Sequence, residues 1–493
     1  MLNTLNNFNI DRTNDGMLFD LNWLEEGKIF PPKGQQHRLE RYKRNKALFE
    51  SGHNKVYAHA LNRIRRIVGD LNDVKVDPVI LNYNKLVATK TADLVCGEAP
   101  TITYQDASSD EIDEIRKNNK LDTLLYETII DMSRYGDAIW RLYKNEEGKG
   151  QITIWEPSEW FPVVSPDDKK RITHHVLARK IYKGEDPGGK KKYELLVQIH
   201  YKGKFEHRIY ELKEDGFIGK LIESKSYKTG FEDFAVIHLT NITTSDSIFG
   251  HDDYQPLDSI ICELMVRFGQ IQKILDKHAN PSIKGPLTAL QQDASGEYTF
   301  KMGNYFAMAP GEDVAYLTWD GNLEAAFKEI DKLIDQLLII SEMGSAFLST
   351  NDSAGRAASG TSLRLRMINP LTKAQRLIKP LDDKLKTALA EISKIGYTPL
   401  EKEKIAIKWH DGLPNDPLED ANLMAIRTGH RPTISRKRAI MYLENLNEEQ
   451  AQEILDEIQE DEPSFGEFNF PGMDLSPGID GDELDTETEE EDS

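Results

Sequence analysis

At 493 residues the chain exceeds the usual size of one compact domain, so we expect several cores or one elongated subunit of several parts. Its two cysteines form no CxxC pair and its longest aliphatic run has four residues, which excludes a disulfide framework and a membrane-spanning helix. The formal net charge of −21 is unevenly placed: 20 of the 83 acidic residues and none of the 62 basic residues follow Arg438. The first 438 residues are therefore almost neutral, and a polyanionic partner is not excluded.

The N-terminal third begins with a basic segment. The opening MLNTLNNFNI lacks a basic region followed by an apolar core, so we expect a soluble protein that is not exported. Residues 33–66 carry ten Lys or Arg against two acids, with Tyr42, Phe49 and Tyr57 interleaved, and predict a basic helical arm. A solvated helix face and a contact with a polyanion or a neighbouring subunit both fit this pattern.

The next segment alternates helix and strand patterns. NYNKLVATKTADLVCGEAP predicts a helix stopped by Gly97 and followed by a short strand, and a second helix over 121–135 should stop at Gly136. AIWRLYKNEEGKGQITIW then predicts two strands joined by a turn, and residues 174–212 predict three more. The fold class expected for this half is α+β with an antiparallel sheet.

Two long helices bracket a short β-rich region in the second half. Apolar residues recur every three or four positions over 257–279 and again over 323–343, and about 40 residues rich in Gly, Pro and short strand patterns lie between them. We expect a stalk with a small β tip. Because one elongated chain should not cover both stripes, we predict that they pack between subunits. The predicted packing residues are Leu257, Ile261, Leu264, Phe268, Ile271, Leu275, Phe327, Ile330, Ile334 and Leu337.

A polar loop and a basic helix come next. STNDSAGRAASG predicts a flexible loop, and the residues after it carry one apolar stripe from Leu363 to Ile392 with several basic residues on the opposite side. No acid lies between 361 and 381, so we expect those charges to be free. Pro370 and Pro380 fall inside the pattern and predict a kinked helix. The chain ends in DGDELDTETEEEDS, interpreted as a disordered tail that either solubilises the protein or docks a partner.

The sequence contains no complete match to the catalytic and metal-binding motifs that were compared with it. GEDPGGKK resembles a phosphate-binding loop, but Lys191 stands where a magnesium-binding Ser or Thr belongs and strands flank it, so a hairpin turn is the better interpretation. HDD at 251–253 lacks partners at metal-ligand spacing, and the adjacent His174 and His175 point to opposite faces of a strand. We therefore expect no enzymatic activity, no metal and no cofactor.

The order of these segments resembles the portal proteins of tailed bacteriophages, most closely the siphovirus type with long, non-contractile tails. NYNKLVATKTADLVCGEAP, EPSEWFPVV, DKHANPSIKGP, YLTWDGNLEAAFKEIDKLIDQLLIISEM and the STNDSAGRAASG loop with its helix carry the resemblance. It implies an elongated portal subunit with a mixed α/β wing, a two-helix stem, a small β-containing clip, a long kinked helix and a helical crown. The implied parts are a wing (1–255), the first stem helix (256–280), the clip (281–322), the second stem helix (323–344), a tunnel loop (345–361), a kinked wing helix with its return (362–410), a crown (411–465) and an acidic disordered tail (466–493).

The resemblance also implies a function. Portal subunits form a ring, usually of twelve copies, at one capsid vertex, through which double-stranded DNA is packaged and ejected without sequence specificity. Implied partners are the terminase large subunit, a head–tail adaptor, and the major capsid and scaffolding proteins, with no membrane; the implied location is the virion, after assembly in the host cytoplasm. A loop of small residues with one Arg offers weak phosphate contacts blind to base sequence. The DNA-channel residues we predict are Ser353, Arg356, Ser359, Arg364, Arg366, Lys373, Arg376 and Lys379.

Two other function classes stay open on the sequence. A virion adaptor or scaffold protein that binds other proteins and never touches DNA would show the same helical stripes, since a stripe indicates burial without naming the partner. A DNA-processing enzyme would need clustered carboxylates on a strand or loop, and none stands out.

Overall fold

The computed structural model describes 16–59, 62–63, 79–104, 109–185, 188–279, 283–286, 291–292, 298–299, 305–308, 315–316, 323–344, 367–410, 417–429, 432–444 and 448–461. The helices are α1 (Gln36–Phe49), α2 (His53–Val56), α3 (Tyr83–Cys96), α4 (Ser109–Asn119), α5 (Leu121–Tyr135), α6 (Asp258–Ala279), α7 (Glu324–Ile340), α8 (Ile368–Ser393), α9 (Pro417–Thr428), α10 (Arg436–Leu443) and α11 (Glu448–Asp461).

The strands are β1 (Thr101–Tyr104), β2 (Asp137–Lys144), β3 (Gly150–Trp155), β4 (Trp160–Val164), β5 (Ile172–Glu185), β6 (Lys191–Tyr201), β7 (Lys204–Leu212), β8 (Ile218–Lys228), β9 (Val236–Thr240), β10 (Ile283–Pro286), β11 (Gln291–Gln292), β12 (Tyr298–Thr299), β13 (Tyr305–Met308), β14 (Ala315–Tyr316) and β15 (Ile405–Lys408). The described chain forms two compact units that divide after residue 413. None of its described helices has the length and apolar character that a bilayer crossing requires.

Two antiparallel sheets form the centre of the first unit. The larger has the order β4-β5-β6-β7-β8 and the smaller the order β3-β2-β9. The predicted strands over 137–155 and 174–212 are thus confirmed, as is the α+β class. GEDPGGKK lies at the β5–β6 hairpin, where Glu185 pairs with Lys191. It connects two strands and provides no helix N-terminus for a phosphate.

The junction between α5 and β2 depends on two glycines. Gly136 ends the helix with φ +84°, the left-handed conformation in which an L side chain is strained. A Cβ at Gly136 would lie 2.4 Å from the Gly250 carbonyl oxygen, and one at Gly250 would lie 1.9 Å from the Gly136 carbonyl oxygen. Only glycine at both positions lets the two backbones come this close. The predicted helix stop at Gly136 is therefore confirmed.

The apolar stripe of α8 lies in the largest core. It packs against α3, α5 and the small sheet, and its buried stripe residues are Met367, Ala374, Leu381, Leu385, Leu389 and Ile392. The helix continues through Pro380, whose missing N–H leaves the carbonyl of Arg376 without its helical donor. Pro370 lies in the first turn of α8, where no helical N–H donor is required. The prediction that Pro370 disturbs the helix interior is therefore wrong.

The stripes of α6 and α7 cover each other. Leu257, Ile261, Leu264 and Ile271 are buried in one cluster with Ile330 and Leu337, and Phe268 and Ile334 pack against it partly buried. Of the ten predicted intersubunit packing residues, Leu275 and Phe327 remain exposed, at 51% and 47%. The expectation that one chain could not cover both stripes is wrong, because the two helices lie against each other within the subunit. The sequence between α6 and α7 contains the short strands β10 to β14. Strand β10 pairs with β13 and β14, and β11 pairs with β12.

Three arginines of the predicted basic arm contact other parts of the subunit, whereas lysines of the arm such as Lys33 and Lys43 are exposed. Within α1, Tyr42 and Leu48 are buried, and Arg38 donates to the carbonyl oxygens of Pro157 and Trp160 at 3.0 and 2.8 Å. Arg41 forms an ion pair with Asp252, six residues before α6, and Arg44 forms one with Asp258, the first residue of α6. These arginines are therefore used inside the subunit. Neither a solvated face nor a polyanion contact describes them.

The second unit contains α9, α10 and α11. Met424, Ala439 and Ala451 supply its buried apolar side chains. Ser435 caps α10 by accepting from the backbone N–H of Arg438 at 3.3 Å. The acidic tail over 466–493 lies outside the described residues.

Leu385→Ala tests the buried stripe of α8. Leu385 is 0% exposed, so the truncation should leave a cavity and lower the free energy of unfolding by about 2–5 kcal/mol. Urea denaturation followed by circular dichroism measures the change. Gln375→Ala, at an exposed position of the same helix, should change stability by less than about 0.5 kcal/mol. Equal effects would show that the stripe has been placed on the wrong face.

His200 predicts a pH dependence of stability. Burial, and then the charge of Arg141, lower the pKa of His200 from 6.5 to about 3. Between these values the unfolded chain binds more protons than the folded chain, so stability should fall as pH falls below 6.5, by up to about 1.4 kcal/mol per pH unit. His200→Gln should reduce this slope in urea denaturation between pH 6.5 and 4. An unchanged slope contradicts the assignment.

Candidate functional site

The site is the base of the predicted polar loop, where α7 ends and α8 begins. After α7, Ser341 and Met343 are buried, and Met343 packs in the α6–α7 core. Glu342 and Gly344 have φ of +60° and +61°, so the chain turns sharply out of the helix there. Residues 345–366 then lie outside the described part of the chain, which resumes at Met367 in the core beneath α8. Both ends of this segment are thus fixed in packed structure.

A buried ion pair joins the two ends to the sheet region. Lys373 on α8 is 2% exposed, and its Nζ lies 2.9 Å from Oδ2 of Asp253 and 3.2 Å from the carbonyl oxygen of Ser341. One side chain therefore links α8, the end of α7 and the segment before α6. A buried lysine requires such a partner, because an unpaired ammonium away from water costs several kcal/mol.

Asp253 is held by further donors. Ser133 Oγ donates to its Oδ2 at 2.7 Å, and Asn241 Nδ2 donates to its Oδ1 at 2.9 Å. The backbone N–H of Asp253 donates to the carbonyl oxygen of Ser133 at 2.8 Å. With both carboxylate oxygens bonded, the buried charge is compensated and its position is fixed. The pair thus ties α8 to α5 and to the residue that follows β9.

A second, exposed ion pair lies beside the first. Arg376 Nη2 lies 2.6 Å from Oε2 of Glu342, with the two side chains 38% and 39% exposed. Because both groups are hydrated, this pair should contribute little to stability. It nevertheless connects the start of α8 to the end of α7 at the surface.

The eight predicted DNA-channel residues fall into three groups. Ser353, Arg356, Ser359, Arg364 and Arg366 lie outside the described residues. Lys373 is buried in its ion pair, so the prediction that it faces a channel is wrong. Arg376 and Lys379 are exposed, and Lys379 has no ion pair with any described residue. The expectation of free charges along this helix therefore fails for Lys373 and for Arg376, because their acids come from other segments.

Sequence reasoning missed the residues that hold the loop base. On the sequence alone, HDD at 251–253 is tested only as a metal-binding motif. In the structure Asp252 pairs with Arg41 and Asp253 pairs with Lys373. Adjacent acids before a helix were the available signal. Their basic partners are more than a hundred residues away in sequence, so spacing could not identify them.

The described residues hold no arrangement typical of catalysis. No group of three or more His, Cys, Asp or Glu side chains within them could hold a metal ion. Burial raises the pKa of Cys96 and Cys262 to about 12, the reverse of what a reactive thiol needs. Burial also raises the pKa of Asp131 to about 6, but its neighbour is Arg134 in an ion pair of 2.7 Å. These groups serve packing and charge pairing.

The first unit thus combines an antiparallel α+β body, two helices that cover each other's apolar stripes and an anchored loop base, and its described residues hold no arrangement typical of catalysis. The chain belongs to the phage portal protein family of the SPP1 Gp6-like type, whose model matches residues 32–464. It is thus a bacteriophage virion protein of the head–tail connector, in a structural family.

Comparison with other proteins adds little to this assignment. One similar solved structure is the "Neck of native GTA particle computed with C12 symmetry", with 16% identity and a TM-score of 0.39 over 73% of this chain and 88% of that chain. That similarity is too low to support an inference. No curated protein matches the chain.

Lys373→Met tests the buried pair. It leaves the Asp253 carboxylate buried without its cation, so the free energy of unfolding should fall by about 3–5 kcal/mol. Arg376→Gln, which breaks the exposed pair with Glu342, should cost less than about 1 kcal/mol. Adding Asp253→Asn to Lys373→Met should recover part of the loss, because it removes the unpaired charge. Urea denaturation of the four proteins measures this, and a loss from Lys373→Met no larger than from Arg376→Gln contradicts it.

Proposed function

We propose that the subunit assembles into a closed ring, of twelve copies by analogy with its family, at one vertex of the capsid. Double-stranded DNA passes through this ring during packaging and ejection, and the ring docks the terminase large subunit and later a head–tail adaptor. Assembly takes place in the host cytoplasm with the major capsid and scaffolding proteins. Membership of the portal family carries this proposal.

The helices α6 and α7 suggest where subunits meet. Once their stripes have packed against each other, large apolar side chains remain exposed on them: Leu275 at 51%, Phe327 at 47%, Ile339 at 61% and Ile340 at 44%. Covering such side chains between copies would offset the cost of leaving them in water. The intersubunit contact therefore uses these residues in place of the buried stripes.

The anchored loop base supports the DNA-channel assignment. A loop that contacts passing phosphate groups must yield locally while its ends stay fixed. The Lys373–Asp253 pair fixes the base, and the segment over 345–361, with Arg356 as its one basic residue, supplies the contact. One loop cation per subunit holds the duplex weakly, because salt-dependent affinity grows with the number of phosphates neutralised. Lys379 on the exposed side of α8 adds a second cation.

Native mass spectrometry tests the ring. Twelve subunits of 56.2 kDa would weigh about 670 kDa, and a cyclic assembly avoids open filaments. Phe327→Ser should shift the protein to smaller species while the subunit keeps its circular dichroism spectrum. Ile330→Ser, buried in the same helix, should unfold the subunit instead. A sharp monomer peak at all concentrations of the parent protein contradicts the ring, and intact rings of Phe327→Ser contradict the contact.

DNA packaging tests the channel. Arg356→Ala together with a four-residue deletion within 351–359 should alter the DNA packaged or retained per capsid and leave ring yield unchanged. Lys379→Gln should weaken retention, with a salt dependence reduced by about one phosphate contact. Lys220→Gln, an exposed residue of β8, is the control and should behave like the parent. Normal packaging and retention by the loop variant would show that this loop does not face DNA.

A further inference from the structure

Arg141 stands out as a half-buried cation without a counter-ion. It lies in the middle of β2, opposite Thr153 of β3 and Val236 of β9. Its neighbours Trp140 and Leu142 point into the main core, so Arg141 points to the other face of the small sheet. Its guanidinium makes no ion pair with any described residue. Burial lowers the pKa of Arg141, and no carboxylate among the described residues counteracts this.

Two aromatic rings hold the guanidinium in place. Its central carbon lies 5.5 Å from the ring centre of Trp155 and 5.6 Å from that of Tyr143. These cation–π contacts recover part of the desolvation cost, but they use the faces of the rings and leave the N–H donors of the guanidinium unused. Arg179, near the same Trp155 at 4.8 Å, differs because Glu159 accepts from its Nε at 2.7 Å. Among the described residues, Arg179 thus has a carboxylate partner and Arg141 has none.

Three buried nitrogen atoms around this point lack a hydrogen-bond partner among the described residues. They are Nε of Arg141, Nε1 of Trp155 and Nδ1 of His200. Trp155 touches the guanidinium directly, and His200 lies close enough for the charge of Arg141 to act on it. Two of the three are donors, Nε of Arg141 and Nε1 of Trp155, whereas Nδ1 of His200 is an acceptor because Nε2 of the neutral ring donates to Oε1 of Gln198 at 3.4 Å. Buried donors are almost always satisfied in folded proteins, so two unsatisfied donors beside one guanidinium indicate a missing acceptor.

We propose that Arg141 and Trp155 form a binding site for one oxyanion group, at the face of the small sheet opposite the main core. The group is a carboxylate or a phosphate, since an acceptor with several oxygens can take donors from more than one side chain and neutralise the guanidinium. Its source is either a free anion or an acidic residue of a partner protein. The site is separate from the loop base and from α6 and α7, and it does not depend on the proposed DNA channel.

Isothermal titration of the full-length protein tests the site with two probes at constant ionic strength. One is inorganic phosphate and the other is a terminally blocked hexaglutamate peptide. We expect saturable binding of at least one probe, with one site per subunit. Phosphate binding indicates a free anion as the source, and binding of the peptide alone indicates an acidic protein segment.

Variants separate the site from general surface binding. Arg141→Gln should weaken the probe at least about tenfold, because it removes the charge that makes the contact strong. Trp155→Phe keeps the ring and removes one donor, so it should weaken the probe about threefold. Arg208→Gln is the matched control, since this arginine of the neighbouring sheet already pairs with Glu206 at 2.6 Å, and it should bind like the parent.

The outcomes decide the proposal. If the parent binds neither probe at about 10 mM, a concentration at which even weak contacts register, the site does not exist. If Arg141→Gln binds like the parent, the guanidinium serves only to pack against the two rings. Should Arg141→Gln fail to fold, Arg141→Lys, which lacks the planar donor set, and Trp155→Phe give the same test.

Discussion

The structure depends on one compensated buried charge, the carboxylate of Asp253. It accepts hydrogen bonds from α5, from the residue after β9 and from Lys373 of α8, so segments up to 240 residues apart in sequence meet at one group. An ion pair of this kind adds little net stability over an apolar replacement, but losing one partner is costly. Its value lies in position: it fixes where α8 begins and where α7 ends. Both ends of the segment over 345–366 are thus held in packed structure.

Basic residues in the N-terminal half are likewise compensated by partners that are distant in sequence. The arginines of α1 look like a surface for a polyanion, yet Arg38 donates to two carbonyl oxygens and Arg41 pairs with Asp252. In the proposed DNA channel, this arrangement would keep the lining from holding the duplex tightly. A duplex that must slide is held too strongly when many cations release its counterions at once. The subunit places many of its cations in internal pairs, and few described basic residues near the loop base remain for phosphate.

Arg141 differs from the arginines that pair inside the subunit. Arg38, Arg41 and Arg179 pair with a carboxylate or a carbonyl oxygen, whereas Arg141 contacts two ring faces and has no such acceptor among the described residues. Proteins pair buried charges or neutralise them, and this guanidinium is therefore the group that the proposed oxyanion would neutralise. A portal subunit works among other virion proteins. A surface that is completed by a partner's oxyanion would suit a component whose neighbours change during assembly.

The sequence by itself determined the elements and their class. Periodicity located α5, α6, α7 and the strands β2, β3, β5, β6 and β7 to within a few residues, because the spacing of apolar side chains follows from local geometry alone. It did not identify β4, β8 or β9. The end of α5 at Gly136 followed from the backbone freedom of glycine. The order of the segments was sufficient to place the chain near the portal proteins.

The tertiary structure alone decided which partner each side chain takes. The apolar stripe on α6 indicates that another element covers it. Whether this element is α7 or part of another subunit depends on the path of the chain between α6 and α7. Likewise, the sequence does not distinguish Lys373, Arg376 and Lys379. In the structure Lys373 forms a buried ion pair and Arg376 an exposed one, each with an acid at least 30 residues away in sequence. Lys379 is exposed and has no ion pair with a described residue. Charge pairing acts through space, so its pattern is set by contacts that local sequence does not encode.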